Sequence, residues 1–184
     1  MTRFEFTSVL VSIVLAFGLS EVLTAWGRII RHRQQLSISW PYALVSVWVV
    51  LTIIMHWFGL WSYREVHFDR ALYSFIVLSP SLVIALVCHV LTPELEGSQS
   101  EQLEQRYFLV SRWALPLCSL HMLLAATSDL LLPGVTEAPP PIYSVVIAAT
   151  FVGLAFTKSW SVHVGVLSLI AAASAGVLIF ARSQ

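Results

Sequence analysis

The feature that most restricts this chain is a set of long intervals without Asp, Glu, Lys or Arg. They cover 6–20, continuing after Glu21 to residue 27, then 34–63, 71–93, 113–128, 138–157 and 159–181. A helix needs about 20 mostly apolar residues to cross a hydrocarbon layer of about 30 Å, so each interval is the length of a membrane crossing. The spacing predicts an all-α integral membrane protein of six transmembrane helices in a compact bundle, one domain over 1–184, with spans near 6–27, 41–62, 71–92, 107–131, 141–157 and 160–181. The fourth interval is short between its charges. Residues 107–111 extend it, with Arg112 snorkelling to the interface.

Composition agrees and excludes several classes of function. The chain is 58% hydrophobic and 11% charged, whereas soluble domains carry about a quarter charged residues. Ten Lys plus Arg balance ten Asp plus Glu, leaving no basic excess to hold a nucleic acid. Cys88 and Cys118 both lie in apolar runs, which argues against a disulfide framework. Arg3 precedes the first apolar run and no small-residue cleavage site follows it, so that run is expected to be retained as a span. The longest polar stretch, 93–106, carries Glu94, Glu96, Glu101 and Glu104 and is too small for a domain.

Trp26, Trp40, Trp61, Trp113 and Trp160, with Tyr63, Tyr73 and Tyr107, fall near span ends, where amphipathic rings favour the headgroup region. One side of the bilayer receives Arg28, Arg31, Arg33, Arg106, Arg112 and Lys158, the other Arg3, Arg64, Arg70 and Arg182. The positive-inside rule then places both termini outside the cytoplasm.

Small residues set the expected packing. Ser8, Ser12, Ala16, Ser20 and Thr24 recur every four residues in the first span, Ala149 and Gly153 in the fifth, and Ser168, Ala172 and Gly176 in the sixth. Such rows let a neighbouring backbone come close, in the same chain or in another copy. Pro80 and Pro116 fall near mid-membrane in the third and fourth spans, predicting kinks that free the carbonyls of Ile76 and Arg112. Ser79 and Ser81 can satisfy such freed groups; alternatively, opened backbone lines a midplane cavity.

Ionisable groups at depth call for a partner or a role. Glu21, His89 and His163 count to one depth near the arginine-rich side, with Lys158 at its edge. Together they form a candidate proton or cation relay or an anion site; singly, they are interfacial residues, with Glu21 neutralised by a nearby Arg. His56 and His121 also share a depth, and two facing imidazoles can ligate a b-type haem. The Cys118–His121 spacing with Cys88–His89 suggests a metal site, but the two cysteines lie at different depths, so no metal is expected. No nucleophile–base grouping, phosphate loop or catalytic carboxylate pair occurs, which disfavours an enzyme.

Several segments carry a resemblance: Phe4-Glu5-Phe6-Thr7-Ser8-Val9-Leu10, Gly18-Leu19-Ser20-Glu21-Val22-Leu23 leading to Gly27-Arg28, Trp40-Pro41-Tyr42, Leu78-Ser79-Pro80-Ser81-Leu82 and Leu91-Thr92-Pro93-Glu94. Their order over roughly the first 110 residues resembles an uncharacterised family of short bacterial six-helix inner-membrane proteins. The resemblance implies a bacterial inner-membrane location and the same six-helix plan, carries no activity, and draws interest to Glu21, Arg28 and Pro80. Three expectations follow from the whole sequence. The first is a channel- or transporter-like protein, a homo-oligomer in the lipid bilayer, with a polar site around Glu21. The others are a non-catalytic membrane subunit or scaffold with a partner protein, and a haem-binding redox protein using His56 and His121.

Overall fold

A computed structural model describes residues 2–31, 39–66, 71–92, 103–132 and 141–180. These form six helices: α1 (Arg3–Arg31), α2 (Trp40–Gly59), α3 (Ala71–Leu91), α4 (Leu103–Leu131), α5 (Pro141–Ala155) and α6 (Trp160–Phe180). A single 3-10 turn, Leu60–Tyr63, prolongs α2. Five of the helices are long and apolar enough to cross a membrane. The exception is α5, whose 15 residues rise only about 22 Å. Arg33, Arg70 and Arg182, which entered the orientation expectation, and Glu94, Glu96 and Glu101 of the longest polar stretch lie outside the described residues.

Local chemistry sets several helix ends. Thr2 and Glu5 form a reciprocal capping box at the start of α1: Thr2 N–H donates to Glu5 Oε2 at 2.7 Å and Glu5 N–H to Thr2 Oγ1 at 3.1 Å. Pro41 opens α2, where its missing N–H is harmless. At the end of α3, Thr92 bonds back to the Cys88 carbonyl through both its N–H and its hydroxyl. The close of α5 tightens into i to i+3 bonds, Phe156 N–H to Gly153 O and Thr157 N–H to Leu154 O. The chain then turns through Lys158 into α6.

The most extensive pairings are α1 with α3, α3 with α4, and α4 with α5, while α6 packs chiefly on α2. Helix α2 also touches α1, α3 and α4, which puts it against the middle of the row. The buried face of α1 is Thr7, Val11, Leu15, Gly18, Val22, Ala25 and Ile29. Those steps mix fours with threes, which holds the seam on one side of the helix.

The expected small-residue faces turn the other way. Ser8 and Ser12 are half-buried, whereas Ala16, Ser20 and Thr24 are exposed. A strict step of four advances about 40° per step around a helix of 3.6 residues per turn, so the row walks off the packed face. Ala149, Gly153, Ser168 and Ala172 likewise point outward.

The closest approach instead falls at Gly18, where an added Cβ would lie 3.2 Å from both Ala85 Cα and Cys88 Sγ. Gly18→Leu is therefore expected to force α1 from α3 and to destabilise the fold by about 1–3 kcal/mol. Reversible unfolding in mixed micelles would read this; wild-type stability would show that the two helices are not in contact there.

The core runs through all six helices and includes Val11, Trp48, Ile84, Leu115, Phe151 and Leu167. Trp48 on α2 meets Phe151 on α5 with ring centroids 4.5 Å apart. Of the aromatic residues expected at the headgroups, Trp40, Trp61, Trp113 and Trp160 are exposed, while Tyr63 and Tyr107 are buried. The two tyrosines serve internal hydrogen bonds, because an enclosed polar group on a neighbouring helix offers their hydroxyls a partner.

Candidate functional site

The candidate site grows from one residue of α3. Pro80 is buried inside an unbroken helix and has no N–H to give the Ile76 carbonyl. Hydroxyls replace the missing donor: Ser79 Oγ donates to Ile76 O at 3.0 Å, and Ser128 Oγ of α4 shares its one hydrogen between Leu124 O at 2.9 Å and the same Ile76 oxygen at 3.0 Å. Of the two serines expected to serve this carbonyl, Ser79 does so, and Ser81 turns to a different task. Pro116 also lies inside an unbroken helix, but on its exposed face. Of these two prolines, Pro80 is the one that brings an altered backbone into the interior.

One turn deeper, His121 of α4 places Nδ1 2.9 Å from the carbonyl oxygen of Pro80. A carbonyl only accepts, so Nδ1 carries the proton and Nε2 is left with its lone pair. His56 of α2 places Nε2 2.9 Å from Ser81 Oγ. The two imidazoles face each other edge-on, with centroids 5.7 Å apart. His121 and Ser81 are buried, and His56 is half-buried. The equal depths counted along the sequence are thus realised as a contact, and three helices contribute to it.

The group expected near the arginine-rich side divides in two. Glu21 Oε1 and His89 Nδ1 are 3.8 Å apart across the α1–α3 contact, with side chains 44% and 75% exposed. This pair lies on the outer surface of the bundle, beside an open groove lined by Ala16, Leu19, Ser20, Leu23 and Thr24. Arg28 is exposed near the end of α1, and Lys158 is exposed in the turn between α5 and α6.

His163 stands apart from Glu21 and His89. It is fully buried, with Nδ1 2.8 Å from the Tyr107 hydroxyl and Nε2 3.0 Å from Thr157 Oγ1. Thr157 Oγ1 donates to Leu154 O at 3.0 Å, so it accepts from Nε2–H, and Nδ1 accepts from Tyr107. A neutral His163 therefore ties α4, the α5–α6 turn and α6 together.

His163→Ala is expected to lower stability by about 1–3 kcal/mol, two lost hydrogen bonds at about 0.6–1.7 each inside a membrane fold. His163→Gln should recover part of it. Equal stability of the wild type and the alanine variant in micelle unfolding would contradict the staple.

A further pair was invisible in the intervals. The Tyr63 hydroxyl donates to Asp129 Oδ1, joining the 3-10 turn after α2 to the last turn of α4. In the sequence Asp129 served only to end an uncharged run. Its signal was spacing: Tyr63 follows His56 by seven residues and Asp129 follows His121 by eight, so both contacts use nearly the same two helix faces.

These helices and this buried polar centre define a multi-pass, all-helical membrane protein. No known protein family matches the chain, and no curated protein or solved structure matches it.

Proposed function

We propose that this is a channel- or transporter-like protein that moves protons across the bilayer, with the His56–His121 pair as its working centre. The observation that carries the proposal is two imidazoles meeting 5.7 Å apart inside the bundle, each anchored to α3 beside Pro80. Polar groups at such depth are expensive in lipid and mark ion or proton routes. A proton on one ring raises the energy of a second on its neighbour by roughly 3 kcal/mol at an effective dielectric of about 20, so the pair holds one proton at a time and passes it on.

In this proposal all six helices cross, α5 at a thin place in the bilayer, and α3 and α4 bend at Pro80 and Pro116. The arginine-bearing ends face the cytoplasm of a bacterial inner membrane, with both termini on the other side. Glu21 and His89, on the outer surface, flank the route; a second copy or a partner subunit would shield them and the outward small-residue faces.

One observation favours a second reading. His121 donates Nδ1–H to a carbonyl and keeps Nε2 open, as metal-ligating histidines do. A b-type haem between His121 and His56 would exploit this. Against it, Ser81, Ile84 and Cys118, within a turn of the pair along α3 and α4, are almost wholly enclosed, so a macrocycle would have to displace packed side chains.

Purified protein in sealed vesicles decides between them. The proton proposal expects an imposed pH gradient to collapse faster than in empty vesicles, with no Soret band before or after added haemin. A leak equal to that of empty vesicles would overturn it, and a stoichiometric Soret band would favour haem.

A further inference from the structure

Resting on that proposal, we infer that Asp129, covered by Tyr63, is the port through which protons reach the histidine pair from the face opposite Arg28 and Arg31. The geometry is a repeated contact. The segments of α2 and α4 that meet at His56 and His121 meet again at Tyr63 and Asp129, about 10–12 Å nearer that face at 1.5 Å per residue.

The position suits a carboxylate poorly if its role is only structural. Asp129 occupies the last turn of α4, which contains no basic residue. There the negative end of the helix dipole opposes its charge. Asn or Ser would accept the Tyr63 hydrogen bond without that penalty.

Asp129 is half-buried and Tyr63 is buried, so the acid sits between water and the interior. Among the described residues, the other titratable groups of this face are Arg3 and Glu5 at the start of α1, the exposed Arg64–Glu65 pair, Tyr73 on α3, and Tyr143 on α5, whose hydroxyl is with Ser174 Oγ at 3.2 Å. The partner of Asp129 among the described residues is the neutral Tyr63 phenol.

Two hydroxyls lie between it and the histidines along the helices. Ser128, next to Asp129, and Ser79 crowd the Ile76 carbonyl, and His121 lies seven residues from Ser128 on the same face of α4. A proton from water turns the Asp129 carboxylate into the acid. It then passes inward along α4 to Nε2 of His121, the nitrogen not committed to Pro80. Asp129 returns to carboxylate, and no other bond changes.

The test uses full-length protein in sealed vesicles. Asp129→Asn, whose amide oxygen still accepts from Tyr63, is expected to cut proton flux roughly tenfold or more with unchanged thermal stability, and Asp129→Glu to restore part of it. Tyr63→Phe should keep the flux, because it removes the cover and not the acid. Wild-type flux in Asp129→Asn, alongside lost flux in His121→Phe, would overturn the port while sparing the histidine pair.

Infrared spectroscopy supplies a readout independent of flux. The difference between the wild-type and Asp129→Asn spectra should contain one carboxylic C=O band of the wild type that comes and goes with pH, the other Asp and Glu residues cancelling. No such difference between the two spectra across the pH range of transport would overturn the port.

Discussion

Replacing His121 with Phe is expected to lower proton flux roughly tenfold or more while costing only about 1 kcal/mol of stability. Phe keeps the aromatic volume in a fully packed position but can neither donate to Pro80 O nor accept at the second ring nitrogen. The Pro80 carbonyl lies inside α3, where the backbone still offers it a helical partner, so the fold loses one side-chain hydrogen bond. The proposed conduction route loses its centre. Flux and unfolding measured on the same preparation separate the two effects. Loss of fold in parallel with flux would make His121 a structural residue.

Trp48→Ala is expected to give a large loss of stability. Trp48 is 1% exposed and its ring lies against Phe151, tying α2 to α5. In water-soluble cores such a truncation costs about 3–5 kcal/mol, part of it for transferring the side chain from water. Between membrane helices that part largely disappears, because the separated helices still lie in apolar surroundings. The cavity remains, and the expected loss is about 2–3 kcal/mol in micelle unfolding. A loss below about half a kcal/mol would mean that the indole site collapses on truncation.

The positions of the helices were legible in the sequence because lipid punishes charge so heavily that uncharged intervals mark their middles, while helix ends such as those of α1 and α4 run on past charged residues. Rotation about each helix axis was not. Ser8 to Thr24 looked like a packing face because equal steps look aligned in one dimension, while Gly18, outside that row, makes the actual contact with α3.

The Ile76 carbonyl could be foreseen from Pro80, since a missing N–H has a fixed consequence four residues back, and one of its two donors, Ser79, was adjacent. The other, Ser128, comes from another helix and depends on tertiary packing. The match in depth of His56 and His121 was readable by counting. The match in depth of Glu21 and His163 was equally readable, yet those residues belong to different sides of the bundle, because depth says nothing about which helices are neighbours. Asp129 was missed because a charge at an interval's edge reads as a boundary, until Tyr63 is seen to enclose it.

The central claim is that His56 and His121 act as one proton-carrying unit. Its most direct measurement is a double-substitution cycle on proton flux, comparing His56→Phe, His121→Phe and the pair. A shared unit predicts that each single change abolishes most of the flux and that the double variant is no worse than either. Independent, multiplicative losses, or flux untouched by both substitutions, would contradict it.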